Sequence, residues 1–200
     1  MTRRRRRERS DAAQSREAVV TAAISALAAN PDASLTDIAR AAGRSRQTLY
    51  VHFGSRDRLL AAVMRRLTDV TLRTLDEARL EDGDAWTALQ RFLAVFRKLP
   101  AQYSRVAEAA AASLSAVDSD ALHAPISARI TELARRGQQA GVFTSAMSAE
   151  WLAASTIALG HLSFELQASV GLSEHEASDS LTYSVRRLYR ADGSDEARPS

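Results

Sequence analysis

Two helical runs, one from Leu35 to Ala42 and one ending at Phe53, are joined by only Gly43-Arg44-Ser45. A joint that short leaves two helices few ways to pack. Gly43 supplies the left-handed conformation that other residues adopt only at a cost, and Ser45 caps the helix behind it. A three-residue connection containing glycine is the signature of a helix-turn-helix. The neighbouring residues fit that geometry. Ala39 is small where the helices approach, Ile38 and Ala42 face the core, and Leu49 packs back from the second helix.

The flanking segments carry their own punctuation. Val19, Val20, Ala23, Ile24 and Leu27 recur at helical spacing, which predicts a helix from about Asp11 to Ala29, ended by Asn30-Pro31. Ser34 and Asp37 form a capping-box pattern ahead of Leu35. Gly54 stops the Phe53 helix, and Ser55 caps a long one striped by Leu60, Val63, Met64, Leu67, Val70 and Leu75. Beyond the EDGD loop, helical patterns run over Trp86–Lys98, Gln102 to about Ala116, Ala121–Gln139, Glu150–Val170 and Glu174–Tyr189. The expected fold is all-α with about nine helices. Its divisions are a disordered basic arm over 1–10, a helix-turn-helix domain over 11–72 (motif about 34–54), a second helical domain over 73–190, and a disordered tail over 191–200.

Charge separates the two parts. Residues 1–72 hold 14 Arg against 7 acids, net +7, while the remainder is net −4. Such asymmetry points to a nucleic-acid-facing N-terminal half. Residues 1–9 alone contribute +5 of the +7, and a run such as Arg3–Arg7 is equally suited to membrane or RNA, or is only a solvated tail. Cysteine is absent, which excludes disulfides and thiolate metal sites. No apolar run approaches the roughly 20 residues of a membrane span, and no apolar segment of a signal peptide follows the arginines. A cytoplasmic protein with no membrane partner is expected.

In a helix-turn-helix the second helix enters the major groove led by its N-terminal residues, here Arg46, Gln47 and Thr48. Arg can pair with guanine and Gln with adenine, while Thr meets a phosphate or a thymine methyl. The run SLTDIARAAGRSRQTLYVHFGSRDRLLAAV, Ser34 to Val63, resembles the DNA-binding domain of the tetracycline-repressor (TetR) family, most specifically in TLY-x-HF followed by Gly-Ser-Arg-Asp and Leu-Leu. The resemblance implies that Tyr50, His52 and Arg56 hold phosphates with Thr48 beside them, and that Arg46, Gln47 and Thr36 stand nearest the base edges. Ser45 opens the same helix. Arg44 departs from the pattern, where a small apolar residue is usual: either its stem covers that surface while the guanidinium reaches a phosphate, or the turn is looser. Tyr50 as a core aromatic and His52 as a capping residue are the plainer readings.

The C-terminal half carries less signal. On the eighth helix Trp151, Ala154, Ala158, His161 and Glu165 share one stripe and Leu152, Leu159, Leu162 and Leu166 another. The resemblance implies a four-helix dimer interface made by the last two helices, with the earlier ones enclosing a small-molecule cavity. The interface residues expected are Leu152, Leu159, Leu166, Leu181, Val185 and Leu188. The cavity residues expected are Trp86, Phe92, Phe96, Tyr103, Trp151, His161 and Phe164, each of which could equally be plain core. His161 and Glu165 stand one turn apart but have no third ligand at matching spacing, so no metal and no cofactor is expected. Nucleophile elbow, phosphate loop and zinc-helix motifs are absent from the sequence, so catalysis is not expected. The function implied is a homodimeric DNA-binding regulator, a repressor released from a pseudo-palindromic operator by a small-molecule effector. The rival is a helical small-molecule-binding or enzymatic domain whose N-terminal bundle does not read DNA; the intact Gly43 turn and the Arg46-Gln47-Thr48 tip argue against it.

Overall fold

The structure, a computed structural model, describes the backbone of residues 2–99, 102–111 and 116–191, and the side chains of these except 2–6, 8–11, 96–98, 102, 104, 108, 111, 116–122 and 168. Among the described residues there are nine helices: α1 (Thr2–Ala29), α2 (Leu35–Ala41), α3 (Arg46–Phe53), α4 (Arg56–Ala78), α5 (Ala85–Lys98), α6 (Gln102–Ala111), α7 (Ala116–Gln139), α8 (Ala149–Ser169) and α9 (Glu174–Tyr189). The all-α expectation holds. Helix α1, however, starts at Thr2, so the Arg3–Arg7 run expected as a disordered arm lies on a helix. Residues 2–17 contain no Gly or Pro and are rich in Arg, Glu, Ala and Gln, so the helix nucleated on Val19–Leu27 propagates backwards through good helix formers. The expected disorder of the C-terminal tail concerns residues that, after Ala191, lie outside those described.

Contacts divide the chain into two units, Met1–Asp69 with Gln102–Leu122, and Val70–Ala101 with His123–Ser200. The division expected from sequence, contiguous at residue 72, is therefore corrected: α6 belongs with the first unit. The cause is a pair of side chains one turn apart, Val106 and Ala110, both fully buried in the core built by Val19, Leu27, Ile38, Leu49, Leu60 and Met64.

The second unit has its own core, centred on Phe92, Leu152, Leu181, Val185 and an aromatic stack. Phe143 meets Trp86 and Tyr189 edge-on, each at 4.9 Å between centroids. Gly141, at φ +69°, turns the chain back so that Phe143 lies over Gly137 of α7. The carbonyls that end α4 have no helical partners, and arginines supply them. Arg91 Nε donates to Ala78 O at 2.8 Å, and its Nη2 donates to Arg79 O and Asp82 O. Arg136 donates to Leu80 O and Glu81 O, both at 2.7 Å.

Tyr189 is fully buried, with its hydroxyl 3.0 Å from Thr156 Oγ1. The Thr156 hydroxyl shares its hydrogen between the phenol oxygen and Leu152 O, the latter at 2.7 Å. Burial pushes the phenol up to about 12 from an ordinary 10.0, against the weaker opposing effect of that hydrogen bond. A raised folded value means the stabilisation is complete below the unfolded pKa and disappears as pH rises through the folded one. At about 1.4 kcal/mol per unit, roughly 2–3 kcal/mol of second-unit stability should be lost above pH 10. Urea unfolding on either side of pH 10 checks this, and Tyr189→Phe should flatten the pH dependence.

Candidate nucleic-acid interface

The turn between α2 and α3 is fully closed. Gly43 N–H donates to Arg40 O at 3.1 Å and Arg44 N–H to Ala39 O at 2.9 Å, the bond pair of a Schellman motif, with Gly43 at φ +60°. The turn is thus not loosened by Arg44, and the Arg44 side chain is exposed beside it. Helix α2 enters through the expected capping box: Asp37 N–H donates to Ser34 Oγ at 3.2 Å, and Ser34 N–H to Asp37 Oδ2 at 3.0 Å. The hydrogen bonds from the Ser34 side chain and backbone, with smaller help from Arg40, hold the Asp37 carboxyl below its ordinary value.

Helix α3 is two-faced. Leu49 and Phe53 are buried in the first unit's core, while Arg46, Gln47 and Tyr50 are exposed. Thr36 of α2 is exposed as well. Ser45 Oγ accepts the Thr48 N–H at 3.0 Å and lies 2.9 Å from Thr48 Oγ1. Their hydroxyls hold the end of the helix that carries Arg46 and Gln47. His52 is half-buried, its Nε2 3.4 Å from Ser15 Oγ of α1. Arg56 Nη2 reaches Ala33 O at 3.4 Å.

A positioning residue lies outside the motif. Arg16 of α1 donates from Nη1 to His52 O at 2.9 Å, and its guanidinium sits 4.5 Å from the Phe53 ring centroid. It satisfies an orphan carbonyl of α3's last turn and packs on the ring that anchors it. Nothing in the sequence marks Arg16, because its partners lie about 36 residues away.

The family model described as "Bacterial regulatory proteins, tetR family" matches residues 20–63, from the buried part of α1 into α4. The match marks this segment as similar to the tetR family. Over 78 residues the chain is 36% identical to the HTH-type transcriptional repressor LfrR of Mycolicibacterium smegmatis, a stretch covering 39% of this chain and 41% of that relative. The crystal structure of LfrR from Mycobacterium smegmatis in complex with proflavine is similar at TM-score 0.70 and 24% identity, over 87% of this chain and 95% of that one. A tetR-family regulator from Agrobacterium tumefaciens is similar at TM-score 0.74 and 15% identity, over 90% and 100%. At these identities the solved structures establish the fold.

Most of the other candidates lie in the second unit. Phe92 is fully buried in the core, Trp86 is half-buried against Phe143, and His161 and Phe164 are half-buried. Trp151 is 62% exposed. Tyr103 packs on the first unit's core. The Phe96 side chain lies outside those described. The expected interface stripe needs a larger correction. Leu152, Leu181 and Val185 are buried within the chain's own core, and Leu159 and Leu188 pack against it, with Leu166 half-buried. Periodicity marks a buried stripe without saying whose surface buries it. The exposed face of α8 takes Trp151, Ala154, Ala158 and Glu165 from the other stripe and Leu162 from the leucine stripe, while His161 is half-buried. Among the described residues, no group of three or more His, Cys, Asp and Glu could hold a metal ion, and no helix is long and apolar enough to cross a membrane.

Proposed function

We propose that the chain is a homodimeric, sequence-specific DNA-binding regulator acting in the cytoplasm, a repressor released from its operator by a small-molecule effector. The observation that carries this reading is the build of α3: a capped helix on a closed Gly43 turn, anchored by Leu49 and Phe53, with Arg46, Gln47 and Tyr50 exposed. Arg46 and Gln47 are the base readers, with Thr36 next to them. Tyr50, Arg44, His52 and Arg56 face phosphates, which position the helix without specifying sequence. Thr48 and Ser45 act through the helix cap. Two such helices, about 34 Å apart on a two-fold dimer, match successive major-groove turns of a pseudo-palindromic site. The LfrR structure holds proflavine, which supports a small-molecule role for the second unit here. Release follows only if the effector binds a conformer with different helix spacing better than the DNA-bound one.

Selection of bound sequences from random DNA, followed by substitution, tests the reading. Arg46→Ala and Gln47→Ala should each cost about 1–3 kcal/mol at one operator position and relax its preference. Tyr50→Phe should weaken binding to every sequence alike. Affinity should also fall steeply with salt, as phosphate neutralisation requires. Uniform weakening by all three substitutions would mean that the readers lie elsewhere.

A further inference from the structure

An open groove of about 780 Å³ runs along the outer side of α9 in the second unit. Trp86 at the start of α5, Val142 of the α7–α8 turn and Tyr183 of α9 form its apolar walls. Tyr183 is 68% exposed and Val142 38%, so both hold apolar surface in water. Arg186, Arg187 and Arg190 line the same groove. Its volume lies in the range of small-molecule sites, roughly 300–1,000 Å³.

The walls are held in place by the core beneath them. Trp86 rests edge-on against Phe143, and Thr144 N–H donates to Tyr189 O at 3.0 Å, tying the α7–α8 turn to the end of α9. Charge in the groove is one-sided. Asp179, the carboxylate that lines it, is 3.4 Å from His175 Nε2 one turn back. Arg186 and Arg187 are exposed and have no ion-pair partner among the described residues. Basic residues in a last turn complement the helix dipole, which accounts for their sign. It does not account for exposed aromatic walls beside them. Guanidinium groups next to a flat apolar surface suit a ligand that has both a ring and a carboxylate.

We propose that this groove binds a small aromatic carboxylic acid, its carboxylate paired with the guanidinium groups of Arg186 and Arg187 and its ring against Trp86 and Tyr183. The site goes beyond the operator-binding reading, and its test contains no DNA, so either can fail without the other.

The chain's two tryptophans, Trp86 and Trp151, give two indole N–H resonances, and Trp86→Phe assigns them. Cinnamate and indole-3-acetate, titrated separately, should shift the Trp86 resonance saturably and leave that of Trp151 in place. Cinnamamide, the neutral isostere, should bind about tenfold more weakly or worse. The double variant Arg186→Gln/Arg187→Gln should lose the carboxylate preference, and Arg186→Lys/Arg187→Lys should retain part of it. The proposal is overturned if neither acid shifts Trp86 saturably, if the amide binds as well as the acid, or if the Gln pair behaves as the parent. If the Gln pair does not fold, the acid–amide comparison on the unmodified protein decides.

Discussion

Gly137→Ala is expected to lower the stability of the second unit by roughly 2–4 kcal/mol, although the substitution is normally favourable in a helix. A β-carbon at position 137 would fall inside the van der Waals surface of the Phe143 ring, closest to Cδ2 and Cε2. The ring has nowhere to retreat, because Phe143 is 2% exposed and stands between Trp86 and Tyr189. Overpacking a tight core typically costs about 1–3 kcal/mol, and expelling a buried phenylalanine about 3–5 kcal/mol. The gain in helix propensity, about 1 kcal/mol, offsets only part. Both tryptophans lie in the second unit, so urea unfolding followed by tryptophan fluorescence reports on it. A double-mutant cycle identifies the cause. In a Phe143→Ala background, Gly137→Ala should become neutral or stabilising, whereas additive costs would show that Phe143 is not the obstacle.

The helix-turn-helix motif was legible in the sequence because its determinants are local. Ser34 with Asp37, Gly43, and Ser45 with Thr48 all act within four residues of one another, and each does what its spacing predicts. What depends on distant packing was not legible. Val106 and Ala110 look like any helical apolar pair, yet their burial assigns α6 to the first unit. Arg16 looks like a solvated charge, and its partner is a carbonyl on α3. By charge density the arginine run resembles a disordered arm, but its helix propensity and the adjoining buried segment carry α1 through it. On α8 both stripes were visible, but the choice of which one faces its own chain requires the position of α9.

That corrected choice has the largest functional consequence. If the proposed dimer forms, it should use the exposed face of α8 and not Leu152, Leu159 and Leu166. Trp151, Ala154, Ala158, Leu162 and Glu165 follow one another at three- and four-residue steps along one face, with Trp151 62% and Leu162 43% exposed. The two alanines between the large residues allow close approach of a second copy of the helix across a two-fold axis. Leu162→Arg would then set like charges from both copies against each other in the seam. The expected result is a folded monomer: an unfolding midpoint within about 0.5 kcal/mol of the parent, since the position is on the surface, but half the sedimenting mass. Operator affinity should collapse, because a lone α3 contacts only half a site. Val185→Arg must behave differently. Val185 is fully buried, and an unpaired charge there should cost more than about 4 kcal/mol and unfold the second unit before any question of assembly arises. A Leu162→Arg protein that still sediments as a dimer would place the interface on another face.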